Sequence, residues 1–193
     1  MVEIGLACLD MGVSYVTVYA FSTENWNRSK TEVTYLMRLL KHALTRELKR
    51  FTREGVRIRV IGETRGLSKD MLKAIKNAME KTRDKTRGEF IIALNYGARD
   101  EIVGAVNSFF KEQPRARKIS TKQLASHLYT KGIPDPDLVI RTSGEYRLSN
   151  FLLWQLAYSE LYFSDLYWPD FSVAELKKAF KEYARRERRF GGG

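Results

Sequence analysis

Apolar positions along this chain alternate between two periods. Val16 to Phe21 is a continuous β-rich run, and Val56 to Ile61, Phe90 to Leu94 and Asp137 to Ile140 read the same way. Between these runs the spacing changes to threes and fours. From Thr31 to about Glu54 the sequence places Val33, Leu36, Met37, Leu40, Leu44, Leu48 and Phe51 on one helical face. Ser29 with Glu32 forms a capping box at its start, and Gly55 supplies a stop. Ser68 to Arg83 predicts a helix with Met71, Leu72, Ile75 and Met79 inward, and Asp100 to Phe110 predicts another. Val2 to Met11 reads as an opening helix, Phe151 to Leu156 as a helix, and Ser172-x-x-Glu175 as the start of a last one.

Strands alternating with helices predict an α/β fold, a mostly parallel central sheet flanked by helices and joined by right-handed crossovers. With 193 residues, the expectation is one domain over 1–193. Ligands of open parallel sheets sit beyond the carboxyl ends of the strands. Three such ends are polar here: 22–25, Asn95-Tyr96-Gly97-Ala98-Arg99, and Arg141-Thr142-Ser143-Gly144. The expectation is that they line one crevice.

Composition narrows the class. Hydrophobic residues at 44% and charged residues at 30% describe a soluble globule. Cys8 is the only cysteine, which excludes an intrachain disulfide or cysteine metal cluster and suits a reducing, cytoplasmic setting. A net charge of +11 favours polyanionic partners: nucleic acid, an anionic membrane face or phosphorylated substrates. A nucleic-acid-binding α/β domain is a rival reading, opposed by the want of a stacking motif or other recognition module. Neither nucleotide-binding glycine motif, G-x-x-x-x-G-K-[ST] or G-x-G-x-x-G, occurs, and zinc-type His/Cys spacing and a D-D-x-x-D box are also absent.

The richest chemistry lies in Arg141 to Asn150, between an apolar strand and the apolar run Phe151 to Leu156. Read as a strand-to-helix turn, it offers two guanidiniums and free amide N–H groups to a multiply charged anion. The competing reading is a surface ion-pair cluster with Glu145. Phe21 to Arg28 offers Ser22, Asn25 and Arg28 to substrate oxygens, with Trp26 covering an apolar group; the alternative is a solvated loop. Asn25 is neutral near pH 7, so orienting a substrate suits it better than general-base work. Glu160, among Leu156, Tyr158, Leu161 and Phe163, needs a cation: a lysine or arginine, or a magnesium ion delivered on a diphosphate. His42 and His127 read as solvent-facing. Arg38, Lys41, Arg46, Lys49 and Arg53 form a basic helix face, solvated by default and open to a partner or membrane.

The chain resembles the cis-prenyltransferases, the undecaprenyl diphosphate synthase family. The resemblance rests on residues 19–28, 94–99, 137–155, Glu-Leu-Tyr-Phe at 160–163, Trp-Pro-Asp-Phe at 168–171 and Arg-Arg-Phe-Gly at 188–191. It implies head-to-tail condensation of isopentenyl diphosphate onto an allylic diphosphate such as farnesyl or geranylgeranyl diphosphate, each new double bond cis. It further implies Mg2+, a homodimer, a hydrophobic tunnel for the growing tail and transient membrane contact at product release; no nucleic acid is expected. By the same resemblance, Arg141, Arg147, Leu148 and Ser149 bind isopentenyl diphosphate, and Glu160 binds its magnesium. Ser22, Thr23, Glu24, Trp26 and Arg28 match substrate-binding positions, Asn25 matches the residue given the catalytic role, and Arg189 and Gly191 match an element that reaches the partner's site.

Members of that family open with a strand and an Asp-Gly-Asn phosphate loop, a motif these 193 residues do not contain. The expectation is therefore little turnover by this chain alone. A non-catalytic subunit of a heteromeric prenyltransferase is the alternative, opposed by the presence of Trp26, Arg28, Arg141, Arg147 and Glu160.

Overall fold

The computed structural model describes residues 1–186. The chain divides into two compact units, Met1–Lys131 and Gly132–Gly193, taken here in turn.

The first unit is built on a parallel three-stranded sheet of order β1-β3-β2, comprising β1 (Tyr15–Ser22), β2 (Val56–Ile61) and β3 (Gly88–Tyr96). β3 is central, and from Glu89 to Tyr96 every residue is buried, as expected of a strand covered on both faces. Its one buried charge, Glu89, is met by Arg59 of β2, whose Nη2 lies 3.2 Å from Oε2 and whose Nε contacts Oε1. Around the sheet lie α1 (Val2–Asp10), α2 (Lys30–Arg46), α3 (Leu48–Arg53), α4 (Lys69–Thr82), α5 (Ala98–Glu112) and α6 (Thr121–Ala125). Ser29 and Ser68 cap α2 and α4 by accepting from the amides of Glu32 and Met71.

The core joins Leu6 and Leu9 of α1, Leu44, Leu48 and Phe51 of α2–α3, Met71, Ile75 and Ala78 of α4, and Phe21, Val56, Ile58, Phe90, Ile92 and Leu94 of the sheet. Packing is close where α1 crosses β3. A Cβ added to Gly5 would stand 2.2 Å from the Phe90 ring, so glycine there permits the approach. An apolar cavity of about 20 Å³, the space of one water, remains beneath α2. Its lining includes Val2, Leu40, Ala43, Leu44, Phe51 and Phe90.

The second unit contains the parallel pair β4 (Leu138–Arg141) and β5 (Glu160–Phe163), then α7 (Val173–Tyr183), which Ser172 caps. Between the strands the structure departs from the sequence reading. Phe151 to Leu156 is a chain of turns, not a helix, because Ser149, Asn150 and Leu152 all take positive φ (51°, 62° and 44°). A right-handed helix cannot begin through three such residues. The helix expected over 31–54 is interrupted at Glu47, giving α2 and α3. Sequence reading passed over β5 and α6 altogether.

Candidate functional site

In the first unit, the carboxyl ends of β1 and β3 lie side by side, with Ser22 opposite Tyr96. Beyond Ser22 the chain turns into a short 3-10 helix, Thr23–Asn27. Ser22 and Asn25 brace this turn reciprocally: the Ser22 hydroxyl accepts from the Asn25 amide, and Asn25 Oδ1 accepts from the Ser22 amide at 2.9 Å. The Asn25 carbonyl is thus committed to the backbone, while its NH2 group is chemically able to donate outward. Thr23 Oγ1 donates to Asp100 Oδ2 at 3.1 Å and lies 3.3 Å from Glu24 Oε2. Arg28 makes an exposed pair with Glu32 one turn along α2, at 2.6 Å.

Trp26 is held from two sides. Its indole N–H donates to Asn95 Oδ1 at 2.6 Å, and its ring meets Phe21 edge-on, centroids 5.2 Å apart. Asn95 is 4% exposed and adopts φ +51°. Its amide nitrogen donates to the carbonyls of Glu63 and Arg65, at 2.9 and 3.0 Å. One buried side chain therefore ties the loops after β1 and β2 to the end of β3. Sequence reading noticed the polar end 95–99 without foreseeing this role; a lone asparagine ending an apolar strand was the available signal.

Below Asn95, Tyr96 Oη donates to Glu101 at 2.6 Å, and Glu101 also accepts from the Tyr129 amide at 2.7 Å. Burial pushes the Tyr129 phenol above its usual range, helped by Glu63, Glu101 and Asp100, so it stays protonated. A wider open groove of about 530 Å³ runs past Arg57, Arg59, Arg83 and Tyr129 along β2, and none of the site residues named from sequence lines it.

In the second unit, Arg141 ends β4 and its Nε is buried without a hydrogen-bond partner among the described residues. Leaving such a charged donor unmet costs on the order of 1–3 kcal/mol or more, which an anion would recover. After it, Ser143 and Gly144 take φ of 73° and 63°, and their amides donate to the carbonyls of Leu166 and Ser164 at 2.8 and 3.0 Å. Arg147 is two-thirds exposed and pairs with Glu145, the partner foreseen in the ion-pair reading. Leu148 leads into the left-handed residues Ser149 and Asn150, and its carbonyl accepts from the Phe151 amide at 3.1 Å. With no helix after them, the contribution expected from a helix start falls away. The anion chemistry of this segment rests on its guanidiniums.

Glu160 Oε2 accepts from Arg186 Nη1 at 2.8 Å, and Arg186 also reaches the Leu161 carbonyl. The Glu160 bond first, and then one to Glu182, raise the Arg186 pKa above its ordinary value. Of the two cations weighed for Glu160, arginine is the one it holds here. No group of three or more His, Cys, Asp or Glu side chains able to enclose a metal occurs among the described residues. That donor set fits only a magnesium ion arriving on a diphosphate, with the protein adding a single carboxylate oxygen. Arg189 and Gly191 lie outside the described residues. His127 is not simply solvent-facing: Nδ1 lies 2.8 Å from the Gln123 carbonyl, Nε2 3.2 Å from Glu112, and the ring meets Phe109 edge-on.

The family model "Putative undecaprenyl diphosphate synthase" matches residues 1–191. Isoprenyl transferase of Thermotoga maritima is 48% identical over 186 residues, covering 95% of this chain and 80% of that protein. The Clostridium perfringens isoprenyl transferase is 49% identical over 190 residues, covering 96% and 75%. Among solved structures, a probable undecaprenyl diphosphate synthase from Campylobacter jejuni superposes with a TM-score of 0.90 at 35% identity, covering 99% of this chain and 89% of that one. Lavandulyl diphosphate synthase from Lavandula x intermedia, solved in complex with dimethylallyl diphosphate, gives 0.93 at 35% identity, with 98% and 84% covered.

Proposed function

Since the chain belongs to the undecaprenyl diphosphate synthase family of prenyltransferases, we propose that it condenses isopentenyl diphosphate with an allylic prenyl diphosphate to give a longer, cis-configured polyprenyl diphosphate. The observation that carries this reading is the family match across 1–191, which takes in every polar strand end described above. Arg141 Nε, buried and unmet, is the feature of the chain that agrees with it best.

In the reaction a bond forms between the terminal alkene carbon of isopentenyl diphosphate and C1 of the allylic partner. The C1–oxygen bond breaks, diphosphate departs with the electron pair, and a proton leaves C2 of the isopentenyl unit. Arg141 and Arg147 grip the isopentenyl diphosphate by charge-assisted hydrogen bonds, with Leu148 and the Ser149 hydroxyl completing that segment. To do so Arg147 exchanges Glu145 for phosphate, a cheap step because exposed ion pairs contribute only ~0–1 kcal/mol. Arg28 stands in the same position with respect to Glu32. Ser22, Thr23 and Glu24 supply polar contacts to substrate, and Trp26 presents an apolar face fixed by Asn95. Asn25 positions substrate through its NH2 group, its carbonyl serving the Ser22 amide, and it takes no proton because a neutral amide is not basic near pH 7. Glu160 would hold a magnesium ion carried on the isopentenyl diphosphate, which would neutralise part of that head group's charge.

The tail of the product belongs on apolar surface, and the cavity beneath α2 is the candidate. At about 20 Å³ it holds a water rather than an isoprene unit, so the tail enters only as α2 gives way. The homodimer, the membrane visit and a cytoplasmic setting belong to this same reading.

Isopentenyl diphosphate binding, measured by calorimetry with magnesium present, tests it. Binding by the intact chain and a loss of roughly 10- to 100-fold in Arg141→Ala is expected, from ~1.5–3 kcal/mol per charge-assisted bond. No binding by the intact chain would overturn the reading. Incorporation of labelled isopentenyl diphosphate by these 193 residues should be slight, for want of an Asp-Gly-Asn loop; rapid incorporation would refute that part alone.

A further inference from the structure

α2 has two sides of opposite character. Leu40, Ala43 and Leu44 point inward to line the apolar cavity. Tyr35, Arg38, Leu39, His42 and Arg46 recur at spacings of three and four on the other side, and all are exposed. Tyr35 is 63% and Leu39 51% exposed, large apolar groups that gain nothing from water. The cations beside them are unspent: Arg38 and Arg46, and Lys49 at the start of α3, make no ion pair among the described residues. The two acids of this stretch, Glu32 and Glu47, are paired with Arg28 and Arg50.

We propose that this outer face of α2 docks on an anionic lipid bilayer, with Tyr35 and Leu39 entering the headgroup region while Arg38, Arg46 and Lys49 meet lipid phosphates. An apolar pair rimmed by uncompensated positive charge matches an interface that is apolar within and negative at its surface. A soluble polyanion such as RNA would satisfy the arginines and leave Leu39 in water. The placement deepens the prenyl-transfer reading and takes its purpose from it: the helix that touches the membrane is the helix whose inner face lines the tail's cavity. A product could then leave toward the bilayer as α2 moves, without its tail crossing water.

The test uses the full chain and vesicles, with no substrate present. Cys8 is buried and its thiol pushed up to about 11 by desolvation, so an introduced cysteine labels selectively. An environment-sensitive fluorophore on Leu39→Cys should brighten and shift to the blue on vesicles of phosphatidylcholine with about a third phosphatidylglycerol, but not on phosphatidylcholine alone. The same label on Val103→Cys, on the exposed side of α5, should stay unchanged. Sedimentation with the anionic vesicles should weaken about 25-fold in Arg38→Gln/Arg46→Gln, at about fivefold per cation. Arg115→Gln/Arg117→Gln removes the same charge from an exposed loop and should change binding far less. Equal responses from the two labels, equal losses in the two double variants, or binding to RNA with no response of the Leu39→Cys label to vesicles would each overturn the proposal. Substrate binding is measured separately, so a failure here leaves the enzymatic reading standing, and a failure there leaves the docking face.

Discussion

Asn25 sits where a proton acceptor would be sought, yet its geometry argues for another duty. Its carbonyl oxygen accepts the Ser22 amide at 2.9 Å, so that lone-pair site is occupied by the turn it stabilises. Replacing it with aspartate keeps this contact, removes the NH2 donor and adds a negative charge beside a diphosphate. Asn25→Asp should therefore weaken substrate binding or turnover at least ~10-fold, with no new rising limb in the pH profile. A gain in rate with a carboxylate-like pKa would show it to be a base. Thr82 gives a second test at this scale, concerning stability. Fully buried, it accepts from the Ile58 amide at 2.9 Å and donates to the Ala78 carbonyl at 2.8 Å, so the end of α4 meets β2 at that amide. Thr82→Val keeps the shape and orphans the amide. Urea unfolding should report a loss of about 1–3 kcal/mol.

Among elements, the loop after β2 is the least forgiving. Gly62 takes φ +122°, and a Cβ there would stand 2.1 Å from the Leu94 carbonyl oxygen, on the backbone of the central strand. Gly62→Ala should destabilise the protein by roughly 2–4 kcal/mol and loosen the Asn95 bonds to Glu63 and Arg65, measurable as faster amide exchange in 63–65. Long elements with a clear period were legible beforehand: β2 at 56–61, and α4 and α7 with their serine caps. What escaped depended on geometry that periodicity does not carry. The 31–54 stripe runs unbroken because the interruption is one residue, Glu47, whose ψ of −10° leaves the apolar face nearly in line. Phe151 to Leu156 has helical composition, but three positive φ values overrule it. β5 is four residues long and hid inside an apolar stretch, although Leu161-Tyr162-Phe163 between Ser159 and Ser164 was a strand signal. Ser120-x-x-Gln123, which opens α6, is a capping box that could have been read. The site residues were legible as types, whereas their present partners, Arg186 on Glu160 and Asn95 on Trp26, come from distant parts of the sequence.

For the whole molecule, pH acts partly through His127. Its bond with the Gln123 carbonyl, then that with Glu112, raises its pKa above the ordinary value. A raised folded-state pKa contributes stability that is complete below the unfolded value of about 6.5 and fades as pH rises through the folded one. The stability difference between the wild type and His127→Gln, read from urea unfolding, should thus be larger near pH 5.5 than near pH 9. No helix among the described residues is long and apolar enough to cross a membrane. The lone thiol of the chain, Cys8, lies in α1, which Gly5 seats directly on the Phe90 ring. A reagent can reach that sulfur only when α1 lifts from the sheet. The rate of its capture is therefore a clock for that excursion, read with no label added.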